Sequence, residues 1–333
     1  MPPQWDSFLD ICRTHTRFLI TTHTRADGDG LGCEIALHRY LTRRGNEAVI
    51  VNHEPVHEKL AFLDRRHSVR VADAQTLAAS GYDAFEVLVS LDNSYRHRLG
   101  ELGALCDRPA LVKVSIDHHV FRGSFADVAV VDEKACCVGE MLFDFLRQQR
   151  VKLDRTYARA LYVSLVTDTG YFSYPNTTAS AHLMAAELLK HRIDPTRINE
   201  LIYQRNTLAQ AKLLGLAMHT LHTDLDGRLA WFSVSHADAE RMGVDPDDTE
   251  FFIDFVRQLE AVEVIAFFRH LKRGTVNVGL RSKGKISVEA VAKQYGGGGH
   301  ATMAGMQIKG AFKEVVADVV AALKQEMTRA TPT

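Results

Sequence analysis

The 333-residue sequence has no surplus of either charge: 40 Lys and Arg stand against 41 Asp and Glu, a formal net charge of -1. A protein that grips long nucleic acid through many phosphates presents a basic face. A long electrostatic track is therefore not expected, and a substrate held by a few local contacts fits better. Cysteine is scarce: Cys12, Cys33, Cys106, Cys136 and Cys137, with no Cys-x-x-Cys. An odd number with two adjacent members suits neither a disulfide framework nor a zinc site of ordinary spacing. These are read as reduced thiols, and a cytoplasmic location is expected. No stretch approaches about 18 uninterrupted apolar residues, so no segment is expected to span a membrane. The opening MPPQWDSFLDICRTH lacks the basic start and apolar run of a signal peptide. Internal repeats and low-complexity segments are also missing.

What is present is an ordinary globular composition, 46% hydrophobic and 24% charged. The length suits two domains. In the first half, short apolar runs at 17–23, 47–53, 85–93, 110–119 and 126–133 read as strands. The segment 30–45 reads as a helix, with Ile35, Leu37 and Leu41 near one face and Gly45 as its stop. Strands alternating with helices, without tight hairpin turns, predict an α/β fold whose largely parallel sheet has helices on both faces. Residues 137–150, 155–168, 178–191 and 207–221 have helix-period apolar positions, and 192–200 reads as a connector. Strand patterns return at 226–235 and at 263–282, followed by a short helix at 288–295, a glycine loop, a strand at 302–310 and a closing helix at 312–328. The expected division is a catalytic domain over 1–190, a helical linker over 191–225 and a smaller α/β domain over 226–333.

Four polar clusters sit at the ends of these elements. His23, Asp27 and Asp29 follow a strand and precede a helix, where open α/β sheets bind ligands. So many charges of one sign repel unless a cation neutralises them; the plainer reading is a polar turn with Asp29 capping the helix. Asp92 ends an apolar strand, as a ligand or as a turn residue. Asp117, His118 and His119 end another, with one histidine a possible ligand and the other an acid or phosphate donor. Asp168 closes an apolar helix, opposing the helix dipole, which makes a cation partner more plausible than it would be elsewhere.

Jointly these supply Asp27, Asp29, Asp92 and Asp168 as oxygen ligands, and His23 and His118 as nitrogens. That set suits Mn²⁺ or Mg²⁺, and also Zn²⁺ or Fe²⁺, better than a thiolate-seeking metal. It is enough for two cations, with Asp92 assigned as the shared carboxylate holding them roughly 3.5–4 Å apart. Water between two such cations loses a proton near neutral pH and becomes a nucleophile, while the cations stabilise charge on a phosphoryl group. Further along, Gly296, Gly297, Gly298 and Gly299 allow the backbone to approach an anion, and His300 adds a donor. Arg281 can pair bidentately with phosphate, and Arg96 and Arg98 are further anion contacts. Tyr171 and Phe172 can stack on a base or simply pack.

The order His-x-x-x-Asp-x-Asp, an Asp after a strand, Asp-His-His, Thr-Asp-Thr-Gly and a final Gly-Gly-Gly-Gly-His resembles the DHH phosphoesterases that carry a DHHA1 domain. Within them the nanoRNase and pAp-phosphatase branch is the nearest likeness, and residues 52–63 support it. The resemblance covers nearly the whole chain. It implies one metal on His23, Asp27, Asp92 and Asp168, and a second on Asp29, Asp92 and His118, with manganese usual. It implies His119 beside the scissile phosphate, Asp117 behind it, and the Gly296–Gly299 segment, His300 and Arg281 on the nucleotide, in a cleft between domains that closes on substrate. Substrates in that branch include two- to five-nucleotide RNAs, 3′-phosphoadenosine 5′-phosphate and linear products of cyclic dinucleotides. Two departures touch no ligand: Cys33 stands where serine is common, and Ala26 where proline is common.

The competing readings are a stand-alone cyclic-di-AMP phosphodiesterase and a non-catalytic nucleotide sensor. The sensor predicts decay of at least one ligand, and all six are present. A type II pyrophosphatase is argued against by the glycine segment, and a large single-strand DNA exonuclease would need more chain. A homodimer is left open.

Overall fold

The computed structural model describes residues 4–65, 67–72, 82–120, 123–271, 274–299 and 301–330. The chain divides into two compact units, Met1–Arg205 and Asn206–Thr333. The boundary falls within the segment expected to link two domains. That segment contains two helices, Pro195–Tyr203 and Leu208–His219. The first of these was expected to be a plain connector. Its start carries a full helix signature: Asp194 accepts from the Arg197 amide, Pro195 opens the first turn, and Ile198 and Ile202 are buried.

In the first unit, β1 (Arg17–Thr21), β2 (Glu47–Asn52), β3 (Val69–Val71), β4 (Val87–Leu91), β5 (Val112–Asp117) and β6 (Val128–Val131) form one sheet. Its order is β3-β2-β1-β4-β5-β6, and every neighbouring pair is parallel. The apolar runs are continuous because both faces are covered. Phe18, Ile20, Val87, Val89, Val114 and Ile116 share one core with the helices Gly28–Arg43, Val138–Gln148 and Arg155–Asp168. Leu19, Val51 and Leu88 face the other way, against Leu99, Leu102 and Leu105 of the 3₁₀ segment Arg96–Asp107. Each such side chain, once buried, contributes about 1.5–3 kcal/mol. The short β3 has no alternating run to announce it.

Helix Gln4–Thr14 precedes β1; its Trp5, Phe8, Leu9 and Cys12 repeat at helical spacing and are all buried. Trp5 stacks on Phe145 with ring centroids 4.4 Å apart. Helices Gly28–Arg43 and Arg155–Asp168 lie antiparallel and very close. A Cβ on Gly32 would come within 2.4 Å of the Ala160 carbonyl oxygen. Only glycine permits that approach, and it sets the start of one helix beside the end of the other, Asp168.

In the second unit, β7 (His222–Asp224), β8 (Leu229–Val234), β9 (Val264–His270), β10 (Thr275–Ser282), β11 (Gly298–Gly299) and β12 (Met303–Lys309) form a mixed sheet. Its order is β11-β12-β10-β9-β8-β7, and only β8–β9 is parallel. Successive residues of β9 alternate between two cores. Val264, Ala266 and Phe268 meet Val315, Val319 and Leu323 of the closing helix Phe312–Ala330, while Ile265 and Phe267 meet Phe232, Phe252 and Val256. The short elements β7, His236–Met242 and Phe252–Arg257 were not evident in the sequence. Among the described residues, no helix is long and apolar enough to cross a membrane.

Candidate metal centre

Strand order reverses between β1 and β4, and ligands of open parallel sheets bind beyond the carboxyl ends of the strands at such a point. His23 follows β1, Asp92 follows β4, and His118 follows β5. Asp27 and Asp29 stand at the start of helix Gly28–Arg43, and Asp168 at the end of helix Arg155–Asp168. Five separate segments therefore deliver their polar ends to one place.

Asp92 is at the middle of the group and only 3% exposed. Its Oδ2 lies 3.3 Å from His23 Nε2, and its Oδ1 lies 3.6 Å from His118 Nε2 and 3.3 Å from His119 Nδ1. Asp92 holds a positive φ of 56°, a region that disfavours residues with a Cβ and recurs at functional sites. Its Oδ1 is buried without a hydrogen-bond partner. A buried carboxylate oxygen in that state costs free energy unless something else, such as a cation, satisfies it.

The two flanking histidines are fixed in one tautomer. His23 Nδ1 lies 2.7 Å from the Thr24 carbonyl oxygen, and His118 Nδ1 lies 3.1 Å from that of Ala135. A carbonyl only accepts, so each Nδ1 carries a proton and each Nε2 is the atom turned to the carboxylates. A backbone carbonyl on one ring nitrogen is the usual support for a metal on the other. Burial opposes charge on His23, but Asp27 and Asp92 outweigh it and lift its pKa to about 10. His118 follows suit: burial opposes, and Asp168, Asp92 and Asp29 lift it to about 9. Burial, with Asp92 beside it, pushes the Asp29 carboxyl up, and burial with Asp29 and Asp92 pushes Asp168 up further. The group holds more negative charge than its own partners comfortably balance.

Asp29 does not cap its own helix, the plainer reading of its position. Asp27 does that, accepting from the amides of Asp29 and Gly30 at 3.0 Å each. Asp29 instead reaches the start of helix Val138–Gln148, accepting from the amides of Val138 at 2.8 Å and Gly139 at 3.1 Å. Ser164 Oγ donates to its Oδ1 at 2.5 Å, and Cys33 Sγ does so at 3.3 Å. Asp168 is held by Asn176, whose Nδ2 donates to its Oδ2 at 3.3 Å and to its carbonyl at 3.0 Å. Ser164 and Asn176 escaped the sequence reading. The one available signal was a serine inside the buried stretch 160–166 of helix Arg155–Asp168, one turn before Asp168.

Among the described residues three triads bring their ligand atoms within 4.8 Å of one another: His23, Asp27 and Asp92; Asp29, His118 and Asp168; and Asp92, His118 and His119. Asp168 thus groups with His118, 3.6 Å from its Nε2, and not with His23 as the resemblance implied. The cause is the glycine-close helix pair, which sets the Asp168 end beside Asp29. Asp92 belongs to two of these triads and meets the third through His118. His119 Nδ1 lies 2.6 Å from Asp117 Oδ1, and its amide also donates there. The His119 imidazole holds Asp117 below the usual carboxylate range despite burial, and the carboxylates of Asp92 and Asp117 raise His119. Arg98 is near enough to act on the charge of Asp27, whereas Arg96 is paired with Asp107. Phe172 stacks on His182 at 4.9 Å and Tyr171 donates to the Pro195 carbonyl, which gives both aromatics a packing role.

The remaining candidates belong to the second unit. Arg281 is 9% exposed, with one Nη donating to Glu250 and the other to the Leu280 carbonyl; it is not a surface arginine. The glycine segment is less free than a loop. The amides of Gly296 and Gly297 close the end of helix Val288–Gln294 on the carbonyls of Lys293 and Ala292, so they do not face an anion. Gly298 and Gly299 pair with β12. Gly299 has φ 141° and sits where a Cβ would meet the Met303 carbonyl at 2.3 Å, a position only glycine fills. His300 lies outside the described residues.

Residues 17–165 match the family model described as DHH family, N-terminal domain, and residues 232–329 match the DHHA1 domain. The chain carries a DHH-family domain and a DHHA1 domain. A curated relative from Thermus thermophilus, a bifunctional oligoribonuclease and PAP phosphatase, is 29% identical over 312 residues, 93% of this chain and 90% of that protein. A crystal structure of an exopolyphosphatase-related protein from Bacteroides fragilis superposes with a TM-score of 0.92 at 21% identity, over 99% of this chain and 98% of that one. The structure of RecJ with Mn²⁺ from Thermus thermophilus gives a TM-score of 0.54 at 15% identity, over 99% of this chain and 54% of that one. Both structural likenesses speak for the fold. All the residues grouped around Asp92, apart from Asp168, lie within the stretch that matches the DHH domain.

Proposed function

We propose that this chain is a metal-dependent phosphoesterase that cleaves very short oligoribonucleotides to mononucleotides and converts 3′-phosphoadenosine 5′-phosphate to AMP and phosphate. The observation that carries the metal reading is the buried, unsatisfied Oδ1 of Asp92, with two tautomer-fixed imidazoles turned toward the same carboxylate. The substrate class is supported by the name of the curated relative, which aligns with most of both chains.

The donor set fits two hard or borderline divalent cations. His23, Asp27 and Asp92 would hold one, and Asp29, His118, Asp168 and Asp92 the other. Manganese is the preferred candidate, with magnesium the alternative. Cations there would make water a better nucleophile near neutral pH and neutralise charge on the phosphoryl group. The chain's own residues do the rest. Asp117 orients His119 through Nδ1, so that the ring can donate to a phosphate oxygen or the leaving group. Arg98, and in the second unit Arg281, Gly298, Gly299 and His300, are the proposed phosphate and nucleotide contacts.

The test is turnover with added Mn²⁺ on a diribonucleotide, on 3′-phosphoadenosine 5′-phosphate and on cyclic-di-AMP, side by side. Mononucleotides from the first and phosphate from the second are expected. Preference for cyclic-di-AMP would overturn the substrate assignment, and no turnover of any would overturn the enzyme.

A further inference from the structure

Away from the metal centre, one small cavity of the first unit gathers four arginines and a single carboxylate, that of Asp194. Its volume is about 60 Å³, and its lining includes Arg65, Arg155, Arg159 and Arg197. Arg155 opens helix Arg155–Asp168, and Arg159 follows one turn later on the same face. At 1.5 Å per residue, Arg155 lies about 19 Å along that helix from Asp168. The cavity is therefore at the opposite end of the helix from the metal centre.

Arg197 has its own partner, Glu200 at 2.8 Å. The other three differ: among the described residues, no carboxylate forms an ion pair with Arg65, Arg155 or Arg159. The Nε of Arg159 is buried without a hydrogen-bond partner. Burial, and the like charges of Arg65 and Arg155, depress the Arg159 pKa. Exposed arginines commonly point to solvent unpaired, but a guanidinium with a buried, unsatisfied nitrogen and two like neighbours is a different case. Asp194 also lines the wall, and its carboxylate is turned onto the Arg197 amide at 3.0 Å. The floor is apolar, with Phe62, Ile193 and Ile198. Guanidinium forks match phosphate oxygens two at a time, and the volume admits one phosphate group but no nucleoside.

We propose that this cavity is an anion site that takes a single phosphate group, separate from the metal centre and independent of the reaction proposed there. The phosphate is either free or the terminal group of a nucleotide whose remainder stays outside the cavity. The site needs no metal.

The experiment is calorimetric titration of the chelator-treated chain with inorganic phosphate, pyrophosphate and AMP at low ionic strength. The same titrations are made on Arg155→Gln/Arg159→Gln and on Arg65→Gln. The wild type is expected to bind at least one probe, and the double variant at least tenfold more weakly at an unchanged melting temperature. Arg65→Gln, an exposed change, keeps the test valid if the double variant folds poorly, and a several-fold loss is expected from it. Equal affinity for phosphate and AMP would identify the free ion as the ligand, and a preference for AMP would identify the nucleotide. Failure of the wild type to bind any probe, or equal binding by wild type and Arg65→Gln, would overturn the proposal.

Discussion

The sheets of the two units end in opposite electrostatic states. At the carboxyl edge of the parallel sheet, Asp27, Asp29, Asp92 and Asp168 crowd around two imidazoles, and one carboxylate oxygen has no hydrogen bond at all. In the second unit, charge is settled pairwise: Arg281 with Glu250, Arg228 with Glu263, Lys324 with Asp224. Pairing of the second kind adds little stability when exposed. Crowding of the first kind costs stability and persists where a ligand makes use of it. The difference separates a place able to hold a cation from one whose charges pair without it.

The sharpest way to break the comparison is at Asp92. Asparagine tolerates a positive φ, so Asp92→Asn removes the charge and keeps the turn. Turnover at saturating metal should fall by on the order of 10² or more, about 3 kcal/mol of barrier. Steady-state kinetics on the folded variant within a few-fold of wild type would remove the shared-ligand assignment.

A second effect concerns protons. In the metal-free chain His23 and His118 hold theirs up to about pH 10 and 9. A raised pKa means a tighter proton, which a cation must displace from Nε2. Metal affinity should therefore rise with pH from neutral toward 9–10, with protons released on binding near pH 7.5. Titration calorimetry in buffers of different ionisation enthalpy counts them, and no release would contradict the histidine assignment.

Ser164→Ala sharpens the comparison because it replaces no proposed ligand. It removes one donor from Asp29, so metal should bind about 10–100-fold more weakly. At saturating metal kcat should stay within a few-fold of wild type, which separates positioning from chemistry. Unchanged metal affinity would make Ser164 a packing residue only.

The smallest effect is expected in the second unit. Glu250→Gln breaks the pair with Arg281, but the Glu250 side chain is 67% exposed. Denaturant unfolding should shift by at most about 1 kcal/mol, with metal content unchanged. Loss of metal from this variant would erase the distinction between the two units.

Much of the centre was legible because a buried strand that ends abruptly in Asp or His is a local pattern. His23, Asp92 and His118 each announce themselves that way, and parallel pairing brings the three ends together. The parallel sheet followed from strand–helix alternation for the same reason. What the sequence hid is held by contacts distant along the chain. Asp29 is secured by amides at 138 and 139 and by Ser164, and the grouping of Asp168 depends on a helix crossing at Gly32. The glycine segment carries two readings at once. Glycines that allow a backbone to meet an anion also allow it to meet another strand, and Gly299 does the latter. Helix Gln4–Thr14 is legible from the spacing of Trp5, Phe8, Leu9 and Cys12 alone.

The most direct measurement is metal stoichiometry with activity on one preparation. The chain is stripped with chelator, Mn²⁺ is returned in steps, and bound ions per chain are counted while diribonucleotide hydrolysis is followed. The expected result is two ions per wild-type chain, with turnover absent after stripping and restored as the sites fill. Undiminished turnover by the stripped chain, or the same two ions bound equally well by Asp92→Asn, would contradict the assignment of this cluster as the catalytic metal centre.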